Sequence, residues 1–266
     1  IQWGSEDADF YSIYPQRTGE YEVKKASGFS ATNATFELNM PEEQTCIVEG
    51  ATPVMKTADM NACFMYAKHA DVANGTSPVT LQYKPLSTAI RFILRGPNND
   101  QSAVSVHHIR LIGPDKAPLS GQFQVNLNGE SPVVTPVSEK TSNMVTIYAQ
   151  SDEGGYLQLT TGQSIELNAF IIPVDGLQIN GDWKLEVTLS SGAVVTKILK
   201  SSATGSNPNP NTTLIAGKIH RLGNMPFLPV EPFDPARWME LIPRNVYLSE
   251  ISIPGSWNTL EPSAQV

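Results

Sequence analysis

The stretch Pro78–Gly96, PVTLQYKPLSTAIRFILRG, constrains the fold of this chain more than any other. Val79, Leu81 and Tyr83 alternate at a period of two, which predicts one face of a strand. Lys84-Pro85 should interrupt the ladder, because proline has no N–H to give it. The run Ala89, Ile90, Phe92, Ile93 and Leu94 follows, closed by Gly96-Pro97-Asn98-Asn99. A nearly continuous apolar strand is central, with a layer on each side or a bulge that re-aims it. The stretch therefore reads as the middle of a β-sandwich.

The rest of the chain keeps this style. Strand signals fall at Phe10–Tyr14, Tyr21–Lys25, Thr35–Leu38, Val104–Ile112, Gly121–Leu127, Met144–Ala149, Tyr156–Thr160, Ile165–Ile172, Trp183–Leu189, Ala193–Leu199 and Leu214–Leu222. Residues 41–70 do not separate helix from strand; within them Met60–Ala67 reads as a helical turn or a buried strand, and its length favours the strand. Twenty prolines and nineteen glycines are spread along the 266 residues, as many short strands with turns require. No amphipathic helical pattern is present, so the expected class is all-β. Asn128-Gly129-Glu130-Ser131-Pro132 is the expected domain boundary, dividing the chain into 1–130 and 131–228. Residues 229–266 are expected to be a proline-rich linker, opening with PFLPVEPFDP, and a terminal strand. Ile90, Phe92 and Leu94 should be buried in the first sandwich; Phe170, Ile172 and Leu185 in the second.

Net charge is −8 and the sequence pI about 5.0, with no Lys/Arg cluster, which argues against nucleic acid and anionic membrane as partners. No apolar run approaches the length of a membrane span. The first residues read as mid-domain sequence, so a mature, processed or truncated product is expected. Cys46 and Cys63 read equally as a pair or as two free thiols.

Several segments together resemble the fimbrillin (FimA/Mfa-like) family of Bacteroidales pilus proteins. They are Ala8–Pro15, Val79–Phe92, Val106–Leu111 leading to Leu119–Phe123, Phe170–Pro173 and Ala216–Ile219. The resemblance spans roughly residues 8 to 228. It implies two tandem transthyretin-like β-sandwiches, export as a lipoprotein precursor, loss of an N-terminal strand and polymerisation by strand donation at the outer membrane. The chain departs from the pattern at its front, with no lipobox cysteine and little room for the first strands.

The candidate donor strand is Asn245–Leu260. Val246 and Leu248 share one strand face, and a bulge at Ser249-Glu250 would bring Ile251 and Ile253 to the same side, with Trp257 beyond. Trp238–Pro243 followed by Leu248–Asn258 is also similar to the opening of phosphatidylinositol-specific phospholipase C. Trp257 stands there at the place of a catalytic histidine, and an indole cannot relay a proton.

No HExxH, P-loop or GxSxG motif is present. His107 and His108 are adjacent in a strand, so their rings should point to opposite faces and share no metal. Asp152-Glu153 and Glu42-Glu43 read as solvated turns. The expectation is a non-enzymatic pilin with no cofactor and no metal, whose partners are other pilin subunits and surface ligands. Two alternatives are a tip adhesin or glycan-binding lipoprotein, which a concave aromatic platform would favour, and an enzyme, which clustered perturbed carboxylates would favour.

Overall fold

The computed structural model describes residues 6–16, 22–50, 53–98, 103–179, 183–199 and 212–229. Those residues lie within one compact unit, Ile1–Val230. The protein is all-β; the one helical element among the described residues is a 3₁₀ turn, Met60–Ala62.

Two β-sandwiches account for most of the strands. In the smaller, β1 (Ala8–Tyr14), β6 (Met65–Val72) and β7 (Lys84–Pro85) form one sheet, in the order β1-β6-β7. The facing sheet runs β11-β10-β3-β2, from β11 (Val133–Ser142), β10 (Ser120–Asn126), β3 (Thr35–Met40) and β2 (Lys24–Lys25). Ile13, Leu38, Phe64, Leu86, Phe123, Val125 and Ile172 fill the space between them.

The larger sandwich has a seven-stranded sheet. Its path is β17-β16-β9-β12-β4-β5, from β17 (Val194–Leu199), β16 (Trp183–Leu189), β9 (Val104–Ile112), β12 (Met144–Ser151), β4 (Glu43–Glu49) and β5 (Val54–Thr57). β13 (Leu157–Leu159) pairs with β9 off this path. Opposite lie β14 (Ser164–Ile171), β8 (Thr88–Arg95) and β19 (Ile219–Phe227), with β8 in the middle. A two-stranded ribbon of β15 (Gln178–Ile179) and β18 (Thr212–Thr213) completes the set. The apolar run of β8 does what its sequence demands: Ile90, Phe92 and Leu94 are completely buried. Each contributes about 1.5–3 kcal/mol by leaving water.

The pairing does not follow a boundary near residue 130. β8 takes both neighbours, β14 and β19, from beyond residue 160, and β9 is flanked by β12, β13 and β16. Neither strand has a partner in its own half of the chain, so the buried faces close only across the expected divide. Residues 128–132 are the turn of the β10–β11 hairpin, where Asn126 pairs with Val133. Phe170 and Ile172 pack in the smaller core, whereas Ile90, Phe92, Leu94 and Leu185 share the larger one.

The chain passes between sandwiches over very short links. β3 leads to β4 through Pro41-Glu42, β7 to β8 through Leu86-Ser87, and β11 to β12 through Asn143. Gln44 holds this junction together. Its side chain is buried; its amide accepts from the Phe170 N–H at 2.8 Å and donates to the Phe170 carbonyl at 2.7 Å. One side chain thus stands in for a neighbouring strand at the edge of β14.

Two local expectations change. Val79, Leu81 and Tyr83 lie outside any strand, and Tyr83 is exposed, its hydroxyl bonded to Ser12 Oγ at 2.7 Å. Lys84-Pro85 does not break a ladder but forms β7 against Met65 and Tyr66. β7 is an edge strand, where a missing N–H on the outer side costs nothing.

Candidate functional site

The seven-stranded sheet ends at β17, and no strand lies beyond it among the described residues. On β17, Val195 packs against the core, Leu199 is buried, and Val194 and Ile198 are exposed at 56% and 50%. The opposite sheet ends on the same flank with β19, which carries exposed Ile219 and Phe227. β19 pairs with β8 irregularly, its register shifting between Arg221 and Asn224 and again before Phe227. Cations replace the lost ladder bonds. Lys197 Nζ donates to the carbonyls of Leu222 at 3.1 Å and Asn224 at 2.7 Å. Arg95 Nε donates to the Met225 carbonyl at 2.8 Å, and its guanidinium lies 4.1 Å from the Phe227 ring centroid. Burial, with Arg95 nearby, lowers the Lys197 pKa. The result is an edge tied on its inner side by lysine and arginine, with Val194, Ile198, Ile219 and Phe227 exposed among the polar Thr196, Arg221 and Asn224. An edge of this kind is a template for another strand.

The chain leaves this edge toward its C-terminus: the Leu228 N–H still donates to the Arg95 carbonyl at 3.0 Å. The donor residues expected from sequence, Val246, Leu248, Ile251, Ile253 and Trp257, lie outside the described residues.

His107 and His108 differ from expectation. β9 carries a register shift against β16, with His108 opposite Thr188 and Val106 opposite Leu189. This bulge turns both imidazoles to one side. Their Nδ1 atoms are 2.7 Å apart, so an N–H of one ring donates to the other, and Tyr148 and Tyr156 lie against them. Burial, then Arg110 and His107, lowers the His108 pKa. His108 Nε2 is buried without a partner. A metal on His108 Nδ1 would force the ring proton onto Nε2 and strand a buried donor there. The pair therefore suits a shared proton better than a metal. The sequence held the signal: Val104, Val106, Ile109 and Leu111 are spaced two, three, two, and the long step is the bulge.

The remaining histidines are tied to backbone. His69 Nδ1 lies 3.0 Å from the Thr80 carbonyl, and the Ile215 N–H donates to His220 Nε2 at 3.2 Å. Among the described residues no three His, Cys, Asp or Glu side chains form a group able to hold a metal. Cys46 and Cys63 are free thiols; burial pushes Cys46 up to about 11. Beside the histidine pair, half-exposed Tyr156 rims a cleft of about 360 Å³ with Glu153, Gln158 and Gln163.

Comparison with known proteins finds no matching family model and no matching curated protein. Similar solved structures include the following two. One is a candidate cell adhesion protein from Bacteroides uniformis ATCC 8492, at 14% identity and TM-score 0.44, covering 83% of this chain and 69% of that chain. The other is a candidate cell adhesion protein from Bacteroides ovatus ATCC 8483, at 14% identity and TM-score 0.39, covering 74% of this chain and 62% of that one.

Proposed function

We propose that the chain is a structural subunit of a cell-surface fimbrium at the outer membrane, assembling with other pilin subunits by strand donation and mediating adhesion. The observation that carries this reading is the edge at β17, beyond which no strand lies among the described residues, with Val194 and Ile198 exposed on it. A terminal strand from another copy would lie along that edge. Backbone hydrogen bonds would give affinity, and contacts to alternate side chains would give register. The stretch 230–244 spans up to roughly 50 Å when extended, enough to reach a neighbour. Burial of Val246, Leu248, Ile251 and Ile253 would contribute on the order of 6–12 kcal/mol before ordering costs, at roughly 1.5–3 each.

The test is truncation after Leu228, together with Ile198→Lys in the full chain. Both proteins should keep their melting temperature and lose polymerisation, read by light scattering and electron microscopy. A large fall in the melting temperature of the truncated monomer would mean that the tail belongs to its own fold. Polymers formed by either variant would end the strand-donation reading. A second reading, a glycan-binding surface protein, is favoured by the Tyr156 cleft, where an aromatic ring stands beside amide and carboxylate groups.

A further inference from the structure

A cleft opens at the mouth of the smaller sandwich, between β6, the 82–84 segment and the β10–β11 turn. Its volume is about 310 Å³, and Tyr66, Lys68, His69, Gln82, Lys84 and Glu130 are among its lining residues. Leu127, a buried core residue, also lines it, as do Ala70 and Pro132. The cleft thus has an apolar floor and a polar, nitrogen-rich rim.

The rim is cationic on a protein that carries a net charge of −8. Two lysines stand against the single carboxylate of Glu130. The cleft beside Tyr156 has the opposite character, with Glu153 and no lysine or arginine in its lining. A cleft on the face of β3 and β10 is balanced, with Lys24 and Lys140 against Glu22 and Glu37. Positive charge in the mouth cleft is therefore a local arrangement and not a property of the surface at large.

The fold holds part of this rim in place. Lys68 Nζ donates to the carbonyls of Asn128 at 2.7 Å and Gly129 at 3.4 Å, and lies 5.7 Å from the Tyr11 ring centroid. Those contacts fix its ammonium across the gap between the two sheets. The Asn128 side chain braces the same turn by accepting from the Ala34 N–H and donating to the Ala31 carbonyl. His69 is anchored through Nδ1 at the Thr80 carbonyl. Lys84 is exposed beside them. One ammonium is thus set by backbone carbonyls, while a second is free to swing onto a ligand.

We propose that this cleft binds a small organic carboxylate, of the size of an acidic monosaccharide. Its carboxylate would lie between Lys68 and Lys84, where charge-assisted hydrogen bonds from ammonium groups are strongest. Its carbon skeleton would rest on Leu127 and the Tyr66 ring, and Gln82 would donate to its hydroxyls. A neutral sugar of the same shape would lose the ionic contacts and bind weakly. Phosphate would keep the charge but leave the apolar floor uncovered.

The test is titration of the full chain with D-glucuronate, with D-glucose and inorganic phosphate as controls, followed by amide NMR shifts. Glucuronate should give saturable shifts confined to residues 66–70, 82–84 and 127–132, weakening as salt is raised. Lys84→Met should weaken binding at least tenfold while leaving the melting temperature unchanged, since Lys84 is exposed. Lys68→Met should abolish binding; because it also removes two contacts to the turn, the Lys84 variant is the deciding one. Equal binding of glucose, stronger binding of phosphate, no saturable shift, or glucuronate binding that survives Lys84→Met would each overturn the proposal.

Discussion

Gln44→Leu tests how the two sandwiches are joined. The substitution keeps the volume and apolar stem of the side chain and removes its amide. The Phe170 N–H and carbonyl, bonded at 2.8 and 2.7 Å to that amide, then face leucine. Gln44 is 1% exposed, so no water replaces it without opening the junction. Each stranded backbone group costs about 1–3 kcal/mol, so the pair costs roughly 2–6 kcal/mol. At about 2–4 °C per kcal/mol for a chain of this size, that lowers the melting temperature by about 4–24 °C. Gln44→Glu should be no better: a carboxylate accepts from the Phe170 N–H but repels the Phe170 carbonyl, and its charge is buried. Urea unfolding followed by intrinsic fluorescence measures the loss. A Gln44→Leu protein within 0.5 kcal/mol of the parent would refute the claim that this amide substitutes for a strand.

Two further outcomes follow from single sites. Gly96→Ala should destabilise by about 1–3 kcal/mol, because a Cβ there runs into the Thr160 carbonyl and the end of β8 must shift; unchanged urea unfolding would contradict it. His220 has a pKa lowered by burial and accepts from the Ile215 N–H in its neutral form, so the folded state binds fewer protons than the unfolded chain. Its share of stability is present above the unfolded value of about 6.5 and is lost as pH falls below it. The His220→Gln protein should show less acid sensitivity in that window, and a His220 midpoint at or above 6.5 by NMR would reverse the sign.

The sequence was most legible where burial was strongest. β8 follows from its nearly continuous apolar run, and β9, β10, β12, β14 and β16 from their apolar spacing, because each has a fully buried inner face. β11 gave no such signal: none of its residues is fully buried, and Pro136, Glu139 and Lys140 sit within an edge strand that pairs on one side only. β4 and β5 lay in a stretch whose pattern did not separate helix from strand. The turn at 128–132 looked like a linker because a hairpin turn and a domain boundary use the same residues. What separates them is whether the flanking strands find partners at home, and that is a long-range property. The histidine bulge was written in the spacing of Val104, Val106, Ile109 and Leu111, but the adjacency of two histidines suggested a regular strand. The cationic cleft was invisible in one dimension, since Lys68, Lys84 and Glu130 come from three separate segments.

The short links at Pro41-Glu42, Leu86-Ser87 and Asn143 bear on how the protein comes apart. Because the polypeptide is laced repeatedly through both cores, neither core is encoded by a contiguous stretch. Scission near residue 130 would leave two fragments, each holding strands whose partners are on the other. Neither would be a stable module, and mixing them would be needed to restore either core. The same lacing leaves no free hinge between the cores, so tension entering through one sandwich is carried directly into the other. The molecule should yield to heat, denaturant or pulling in one cooperative step.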